Sequence, residues 1–418
     1  MKRFELKYAK GVVSFELPEA NVLGVLTPNE VPMELMDEDE VARSLDHPIG
    51  TAQLRHIVKP GETVAIVTSD ITRPLPSYRI LPGVLKELLA VGIAPQDITV
   101  VLALGSHRRH TPDEVKALVG EAVLASGVKV IDSDMDKCVN LGTCRNGTPA
   151  DIFEPVAKAD RIICLGNVEY HYFAGYSGGA KALMPGVSSH AAIQANHSNM
   201  VHPEARAGNL DTNPVRQDMD QITEFIKIDF IVNVVLDSKK HIVKSFAGHW
   251  FEAHRAACRF LDSMYGVPVA HTADLVVVTP GGYPKDINLY QSQKALDNCK
   301  NAVREGGIVV LVASAKEGFG EPVFEDWMLN KSVDERIAAI KRTFRLGGHK
   351  AAAIALVAKK ARLFLVSDWD PELARRVGFE PFATVQDAVD GAMVELGTKA
   401  KVLVMPFGGS TLPLVQKE

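Results

Sequence analysis

Short apolar runs rich in β-branched residues recur along the first half of the chain, and each ends abruptly in polar or glycine-containing sequence. They are VAIVTSD (64–70), ITVVLALGSH (98–107), RIICLGNVEYH (161–171) and DFIVNVVLD (229–237). Near-continuous apolar runs of this length are typical of strands that are buried on both faces of a parallel sheet. We therefore predict that these runs form such a sheet.

Helical periodicity occupies segments between these runs. YRILPGVLKELLAVG (78–92) has apolar residues at helical spacing and closes on a glycine. TPDEVKALVG (111–120) begins with Thr111 and Glu114, which stand in the positions of a capping box. Strand and helix alternate, so the first half is predicted to be a Rossmann-like α/β domain with an open, mostly parallel sheet.

The second half repeats this α/β pattern after a strongly helical stretch at 249–266. Gly266 and Pro268 favour an end to that helix, so we predict a boundary between an N-terminal α/β domain, 1–267, and a C-terminal α/β domain, 268–418. The elements predicted beyond it are a helix at 291–307 and strands at 275–282, 308–314, 361–368 and 401–409. The last of these strands could return to the first domain.

The composition is that of an ordinary globular protein of two domains. The chain has 418 residues, 46% of them hydrophobic, and single cores stop growing beyond roughly 250 to 300 residues. A net charge of -5 gives no electrostatic reason to expect a nucleic-acid or membrane partner. The N-terminus is charged where a signal peptide needs an apolar stretch, and no apolar run is long enough to span a membrane. We expect a cytoplasmic protein that acts on small molecules.

The five cysteines are odd in number, and none lies in a C-x-x-C pair. This pattern argues against a disulfide framework and against a thiolate zinc site. We predict reduced, mostly buried thiols.

Candidate chemistry collects in the loops that follow the predicted strands, where open α/β sheets bind their ligands. These loops carry Asp70, Thr72, Arg73, His107, Arg108, Arg109, His110, Glu169, His171, Lys181, Lys285, Asp286, Tyr290, Gln291 and Lys294. His107 and His171 are candidate catalytic residues, because histidine is the usual acid or base at neutral pH. Surface or ordinary core positions are predicted for His47, His56, His241, His249, His254, His271 and His349.

The loop GYSGGAK (175–181) matches a phosphate-binding P-loop only in part. Lys181 is in register with the P-loop lysine, but Ala180 and Ala182 replace a required glycine and the metal-binding hydroxyl. A flexible loop with exposed N–H groups could still hold one phosphate beside Lys181. The alternative is a tight turn that needs glycine for positive φ.

Three further histidines, His190, His197 and His202, do not have the spacing of a zinc site. A metal site built from protein ligands alone is therefore not predicted here. One histidine completing the coordination of a metal carried by a bound cofactor is the open alternative, because imidazole suits nickel, copper and zinc.

Together these motifs resemble the nickel-pincer-dependent lactate racemase family of 2-hydroxyacid racemases and epimerases. The similarity runs from DITRPLP through GSHRRHTPDE, HYFAGYSGGAKALMPG and NHSNMVHPEARAGNLDTNPVR to YQSQKAL, in matching order and spacing. The resemblance implies an isomerase that inverts C2 of lactate or a related 2-hydroxy acid by hydride transfer to and from a cofactor.

The resemblance also implies which residues hold that cofactor. The family joins a lysine covalently to a pyridinium mononucleotide that carries nickel, the nickel-pincer nucleotide, and Lys181 falls on that position. His197 matches the remaining nickel ligand. The other residues implied in cofactor binding are Asp70, Ser177, Gly178 and Gly179. Enzymes of cofactor biosynthesis are the implied protein partners.

For the substrate, the resemblance implies that His107 and His171 alternate as acid and base. The residues implied in substrate binding, supported by Asp70, are Arg73, Lys294, Gln291 and Tyr290. Because these groups come from both halves of the chain, we expect the active site in the cleft between the domains.

Other function classes remain open at this point. One is a nucleotide-binding module that uses the GYSGGAK loop, and another is a metal-dependent hydrolase or lyase that uses the histidines around a hydrated metal. A binding protein without catalysis is disfavoured, because every matched chemical position is retained.

Overall fold

The computed structural model describes residues 1–237 and 239–415 and divides into two compact units. The continuous unit is Val31–Leu261, and the split unit combines Met1–Glu30 with Asp262–Glu418. The division at residue 261 lies close to the predicted boundary. However, the first 30 residues group with the C-terminal part of the chain, whereas the sequence analysis assigned them to the first domain.

The secondary structure elements are numbered along the chain. The strands are β1 (Lys2–Tyr8), β2 (Gly11–Leu17), β3 (Val22–Val25), β4 (Val64–Ser69), β5 (Ile98–Ala103), β6 (Lys129–Asp132), β7 (Cys138–Thr143), β8 (Pro149–Phe153), β9 (Arg161–Asn167), β10 (Tyr170–His171), β11 (Gly175–Tyr176), β12 (Phe230–Leu236), β13 (Ile242–Gly248), β14 (Gly266–Val269), β15 (Ala273–Val278), β16 (Val303–Val312), β17 (Ala361–Val366), β18 (Glu380–Phe382), β19 (Val402–Met405) and β20 (Leu412–Val415). The α-helices are α1 (Asp37–Asp46), α2 (Ser77–Val91), α3 (Pro112–Val119), α4 (Glu121–Ala125), α5 (Glu154–Ala157), α6 (His190–Ser198), α7 (Pro214–Gln221), α8 (Trp250–Tyr265), α9 (Leu289–Cys299), α10 (Pro322–Asn330), α11 (Val333–Arg342), α12 (Gly348–Lys360), α13 (Pro371–Arg376) and α14 (Val385–Leu396). Short 3-10 helices span Glu19–Asn21, Leu54–His56, Pro95–Asp97, Gly179–Ala182, Asn199–Val201 and Ile222–Glu224.

The continuous unit is built on a six-stranded sheet with the order β13-β12-β9-β4-β5-β6. The strands are parallel except β13, which pairs antiparallel with β12 at the edge. The predicted open, mostly parallel sheet is confirmed. Two helix signals are confirmed as well: Gly92 ends α2 with a φ of 97°, and Thr111 and Glu114 form the capping box of α3.

The core of this unit forms where α2 packs on the sheet. Ile80, Leu81 and Val84 of α2 are fully buried and share a hydrophobic cluster with Ile66 of β4 and Val100 of β5. Helical spacing on one element and uninterrupted apolar sequence on the other place these side chains together. The central strands β4 and β5 are thereby fixed, and with them the loops at their carboxyl ends.

The split unit contains a second six-stranded sheet, which is parallel throughout, with the order β18-β17-β16-β15-β19-β3. Its edge strand β3 comes from the N-terminal segment and pairs with β19. This pairing explains why the first 30 residues belong to this unit. The last predicted strand, 401–409, does not return to the first domain, because it forms β19, which pairs with β15 and β3 of the split unit.

The predicted helix at 291–307 is too long. Helix α9 ends at Cys299, and β16 already begins at Val303, where it pairs with Ala273 of β15. Tertiary pairing with β15 therefore overrides the helical pattern of the last residues.

All five cysteines lie among the described residues and form no disulfide with one another; four are buried and Cys138 is half-buried, which confirms the predicted reduced, mostly buried thiols. Within the described ranges, no helix is both long and apolar enough to cross a membrane.

Candidate active site

The carboxyl ends of three neighbouring strands of the continuous unit converge at one edge of its sheet. Strand β4 lies between β5 and β9, and all three run parallel. Asp70 follows β4, His107 lies in the loop after β5, and His171 belongs to β10, shortly after β9. The structure thus places these three predicted residues at the same edge.

Asp70 orients His107. The Asp70 side chain is buried, and its Oδ2 atom accepts a hydrogen bond from Nδ1 of His107, while Oδ1 accepts one from Oγ1 of Thr72 at 2.7 Å. Burial acts to raise the pKa of Asp70, but the hydrogen bond with His107 and nearby positive charge outweigh it and lower the pKa. An ionised carboxylate only accepts hydrogen bonds, so neutral His107 has its proton on Nδ1 and a lone pair on Nε2.

The second histidine has the opposite arrangement. Nδ1 of His171 accepts a hydrogen bond from the backbone N–H of Ala174 at 3.2 Å, so the proton of neutral His171 is on Nε2. Its ring stacks on Tyr172 and meets Phe173 edge to face, with ring centroids 4.5 Å apart. Nδ1 of each histidine is thus engaged within the protein, so Nε2 is the nitrogen at which either ring can exchange a proton with a substrate.

Arg73 provides an available positive charge beside these groups. Its backbone N–H donates to the carbonyl oxygen of Asp70 at 3.1 Å, and its side chain is exposed. Among residues 1–237 and 239–415, no carboxylate lies within ion-pair distance of the Arg73 guanidinium. A planar guanidinium of this kind can bind a substrate carboxylate through two parallel hydrogen bonds.

Lys181 lies on the short 3-10 helix Gly179–Ala182 and is partly buried. Burial, followed by the charges of Arg73 and Arg216, lowers its pKa to about 7, although Asp70 acts in the opposite direction. A substantial fraction of the amine is therefore uncharged at neutral pH. An uncharged lysine amine is a nucleophile that can form a covalent bond with an electrophilic carbon.

Lys181 belongs to a segment that we call the lysine loop, residues 176–181. The N–H of Ser177 donates to the carbonyl oxygen of Glu169, and the N–H of Gly179 donates to Oδ1 of Asn233 at 2.8 Å. The expectation of exposed amide groups is therefore wrong at these two positions, because the protein itself uses them. The segment also lacks the α-helix that follows a P-loop. Cofactor binding by Ser177, Gly178 and Gly179 stays a prediction.

His197 is the third histidine of interest. It is buried on α6, and Nδ1 lies 3.0 Å from Oδ1 of Asn196, whose Nδ2 atom donates to the carbonyl oxygen of Val215. That second bond orients the amide, so Oδ1 faces His197 and the proton of neutral His197 is on Nδ1. A lone pair on Nε2 is what a metal ligand requires, and the bond at the other ring nitrogen fixes its orientation.

Phe173 links two of these histidines. Its ring meets His171 with centroids 4.5 Å apart and His197 with centroids 4.9 Å apart, both edge to face. The structure thus brings a predicted catalytic residue and the predicted metal ligand into contact with the same aromatic ring. Sequence reasoning assigned Phe173 no role.

The residues of this unit fit a tethered metal cofactor. A substantial fraction of the Lys181 amine is uncharged at neutral pH, and the neutral His197 tautomer has its lone pair on Nε2. On the same helix as His197, Oε1 of Gln194 is a buried acceptor with no hydrogen-bond partner within the described chain. Among described residues, no group of three or more His, Cys, Asp or Glu side chains is arranged to hold a metal unaided.

Sequence reasoning missed two buried residues that contact the lysine loop. Arg216 lies in the NHSNMVHPEARAGNLDTNPVR motif but received no role, and His254 was assigned to surface or ordinary core positions. In the structure, both are fully buried, and both donate hydrogen bonds to carbonyl oxygens of the loop. The only sequence signal for Arg216 was its place in a motif, and His254 had none.

The remaining predicted residues lie in the split unit. Tyr290, Gln291 and Lys294 are on the first turns of α9, whose N-terminus is capped by the Asn288 side chain. Gln291 and Lys294 are exposed. Lys285 precedes them in the chain, and burial together with the charge of Lys294 lowers the pKa of Lys285. Substrate binding by Tyr290, Gln291 and Lys294 stays a prediction.

Comparison with known proteins gives consistent matches. A model of the lactate racemase N-terminal domain matches residues 8–208, and a model of the lactate racemase C-terminal domain matches residues 269–412. The lactate racemase of Lactiplantibacillus plantarum is 33% identical over 98% of this chain and 99% of its own length. The lactate racemase of Thermoanaerobacterium thermosaccharolyticum is 32% identical over 99% of both chains.

Solved structures agree with these matches. The lactate racemase apoprotein from Thermoanaerobacterium thermosaccharolyticum has a TM-score of 0.87 at 31% identity, covering 99% of this chain and 100% of that chain. A protein from Thermotoga maritima has a TM-score of 0.64 at 17% identity, covering 91% and 98% of the two chains, a likeness that concerns the fold alone. From the full-length identity and the two domain matches, we conclude that this chain belongs to the lactate racemase family.

Proposed function

We propose that this protein is a racemase that inverts C2 of lactate or a related 2-hydroxy acid. The observation that carries the proposal is that His107 and His171 follow the strands on either side of β4, at the same edge of the sheet, and that Nδ1 of each is engaged by the protein. Racemisation requires a group that accepts the hydroxyl proton of one enantiomer and a group that returns a proton when the other enantiomer forms. The names of the relatives support lactate as the substrate.

In this proposal, Nε2 of His107 takes the proton of the substrate hydroxyl, and Asp70 stabilises the imidazolium that results. After the configuration at C2 has been inverted, the imidazolium form of His171 gives its Nε2 proton to the substrate oxygen and becomes neutral. His107 is then protonated and His171 neutral, which are the states from which the opposite enantiomer reacts with the two roles exchanged. Asp70 thus acts on the substrate through His107, because its oxygens are already engaged by His107 and Thr72.

We further propose that the cofactor is a nickel-pincer nucleotide, with Lys181 as its covalent tether and His197 as a nickel ligand. When bound, this cofactor supplies the acceptor and donor of the hydride at C2. The uncharged amine of Lys181 and the Nδ1–H tautomer of His197 support the assignment. Enzymes that make the cofactor are the proposed partners.

Substrate binding is proposed for Arg73, whose exposed guanidinium can hold the carboxylate of a 2-hydroxy acid in two parallel hydrogen bonds. The family resemblance adds Lys294, Gln291 and Tyr290 of the split unit. Substitution of Lys294 by alanine tests this addition: KM for lactate should rise if its charge helps to hold the carboxylate.

A chiral assay in D2O tests the proposed reaction. Protein produced together with the cofactor-making enzymes should convert either enantiomer of lactate to an equal mixture, and the product should keep protium at C2. Retention is expected because a transferred hydride does not exchange with solvent. Deuterium at C2 would contradict hydride transfer, and activity with only zinc or magnesium added would favour the hydrolase or lyase alternative.

A further inference from the structure

Two buried side chains hold successive carbonyl oxygens of the lysine loop. Nη1 of Arg216 donates to the carbonyl oxygen of Gly178 at 3.2 Å and approaches that of Tyr176 at 3.5 Å. Nε2 of His254 donates to the carbonyl oxygen of Ser177 at 2.9 Å. Arg216 comes from α7 and His254 from α8, so residues distant in sequence fix three consecutive peptide groups just before the lysine.

Charged side chains in turn hold Arg216 and His254 in place. Asp220 forms ion pairs with Nε of Arg216 at 2.9 Å and with Nη2 of Arg255 at 2.5 Å. Both arginines point a guanidinium nitrogen at Nδ1 of His254, at 3.3 Å and 2.7 Å. Because arginine only donates hydrogen bonds, Nδ1 of His254 must accept, and its proton is on Nε2, facing the loop.

Burial, followed by the charges of Arg216 and Arg255, lowers the pKa of His254 well below its ordinary value. His254 is therefore neutral throughout the neutral pH range. Its contact with Ser177 is a hydrogen bond from a neutral donor, and it holds the loop backbone in place without adding a charge near Lys181.

The loop is closely packed against this network. Gly179 has a φ of 61°, and a Cβ atom there would lie 2.8 Å from Nη2 of Arg216 and 2.8 Å from Cγ of His254. At Gly178, with a φ of 78°, a Cβ atom would lie 2.7 Å from Oδ1 of Asn233. Glycine is thus required both for the backbone conformation and for the approach of the buried side chains.

We propose that Arg216 and His254 are positioning residues that hold the lysine loop so that Lys181 presents its amine. This inference rests on the proposed role of Lys181 as the cofactor tether. It adds that the tether site is prepared by the protein before any cofactor arrives.

The charges that face Lys181 support this positioning role with an electrostatic effect. Arg73 and Arg216 both disfavour an ammonium at this position, and Asp70 favours it. Arg73 is exposed, so solvent screens its effect, whereas Arg216 is fully buried and acts through protein. Amide or thioamide formation requires the amine lone pair, which an ammonium lacks.

The first test measures the reactivity of Lys181 in full-length protein made without cofactor. Competitive acetylation with acetic anhydride, read peptide by peptide in a mass spectrometer, reports the fraction of uncharged amine as the pH changes. Wild type should reach half-maximal labelling near pH 7. In Arg216→Met the midpoint should rise by about 1 pH unit, and Arg216→Lys, which keeps the charge, should restore the wild-type midpoint. An unchanged midpoint in folded Arg216→Met would overturn the electrostatic role.

The second test measures positioning and does not depend on the stability of Arg216 variants. Amide hydrogen exchange in the peptide containing Ser177 and Lys181 should be at least about 10-fold faster in His254→Leu than in wild type. The matched variant His254→Gln should stay near wild type, because its amide can donate to Ser177 and accept from the arginines. Equal exchange in His254→Leu and wild type would overturn the positioning role.

These tests separate the inference from the proposed function. Both use protein without cofactor, so neither requires racemase activity. A loaded protein without an adduct on Lys181 would contradict the tether. An unshifted labelling profile in folded Arg216→Met, or unchanged exchange in His254→Leu, would contradict the role of the network.

Discussion

His107 and His171 have their protons on opposite ring nitrogens, because Nδ1 donates to the Asp70 carboxylate in the first and accepts from a backbone N–H in the second. In each ring Nδ1 is engaged by the protein, so Nε2 is the nitrogen that exchanges a proton with the substrate. Two histidines of this kind suit a reaction that must move a hydroxyl proton off one enantiomer and onto the other.

The first prediction concerns the partner of His107. Asp70→Asn should lower kcat for lactate racemisation by roughly 100-fold or more, because an amide neither enforces the Nδ1–H tautomer nor stabilises the imidazolium. The chiral assay measures this loss. Thr72→Val is the matched control: it removes the hydroxyl that donates to Oδ1 of Asp70 and lies 3.3 Å from Nδ1 of His107 but keeps the carboxylate, and kcat should fall by about 10-fold at most. Similar losses in both variants would argue against orientation of His107 by Asp70.

The second prediction concerns the metal. His197→Ala should keep the organic adduct on Lys181 but lose most of the nickel, because only the metal ligand is removed. Asn196→Ala should retain His197 and weaken nickel binding by about 10- to 100-fold, since it removes the bond that orients the ring. Intact-protein mass and nickel analysis of the same samples separates the two effects. Full nickel occupancy in His197→Ala would show that this histidine is not a ligand.

The lysine loop provides a third prediction. Gly179→Ala should destabilise the protein by about 2 to 5 kcal/mol, because the new Cβ combines an unfavourable φ with overlap against Arg216 and His254. Gly147→Ala is the matched control: φ is 86° and nothing lies within 4 Å of the added Cβ, so the cost should be about 1 to 2 kcal/mol. Urea unfolding measures both, and equal losses would mean that the close packing contributes nothing.

The fourth prediction uses the low pKa of Lys181. Its folded pKa of about 7 lies below the unfolded value of about 10.4, so folding releases the proton between these two pH values and holds an unfavourable ammonium below the lower one. The penalty is largest below about pH 7 and shrinks as the pH rises toward the unfolded value. Lys181→Met without cofactor should therefore be more stable than wild type near pH 7, by about 2 °C in Tm or more. This advantage should decline between roughly pH 7 and 10, and an advantage independent of pH would contradict the assignment.

Much of the fold could be predicted because its central strands are uninterrupted apolar runs. Those that became β4, β5, β9 and β12 are buried on both faces, so local sequence alone identifies them. The pairing of β3 with β19 could not be predicted, because the partners are separated by most of the chain and a four-residue strand has little pattern of its own. The end of α9 was misplaced for a related reason: the pairing of Val303 depends on tertiary context.

The candidate site likewise contains residues that the sequence could predict and residues that it could not. Asp70, His107 and His171 follow strands, and parallel topology brings the ends of such strands to one edge. Arg216 and His254 act from helices, and their contacts with the lysine loop depend on how α7 and α8 pack. A buried arginine and a buried histidine on helices look like ordinary polar positions in sequence, so only the structure reveals their role.

The central claim is that Lys181 carries a nickel cofactor, and one measurement tests it most directly: intact-protein mass spectrometry with nickel analysis on protein produced alongside the cofactor-making enzymes. Wild type should carry a nickel-containing adduct, Lys181→Ala should carry none, and Lys285→Ala, which removes another lysine of lowered pKa, should keep it. If wild type carries no adduct under conditions that load another lactate racemase, or if Lys181→Ala keeps the adduct, the proposed tether is wrong.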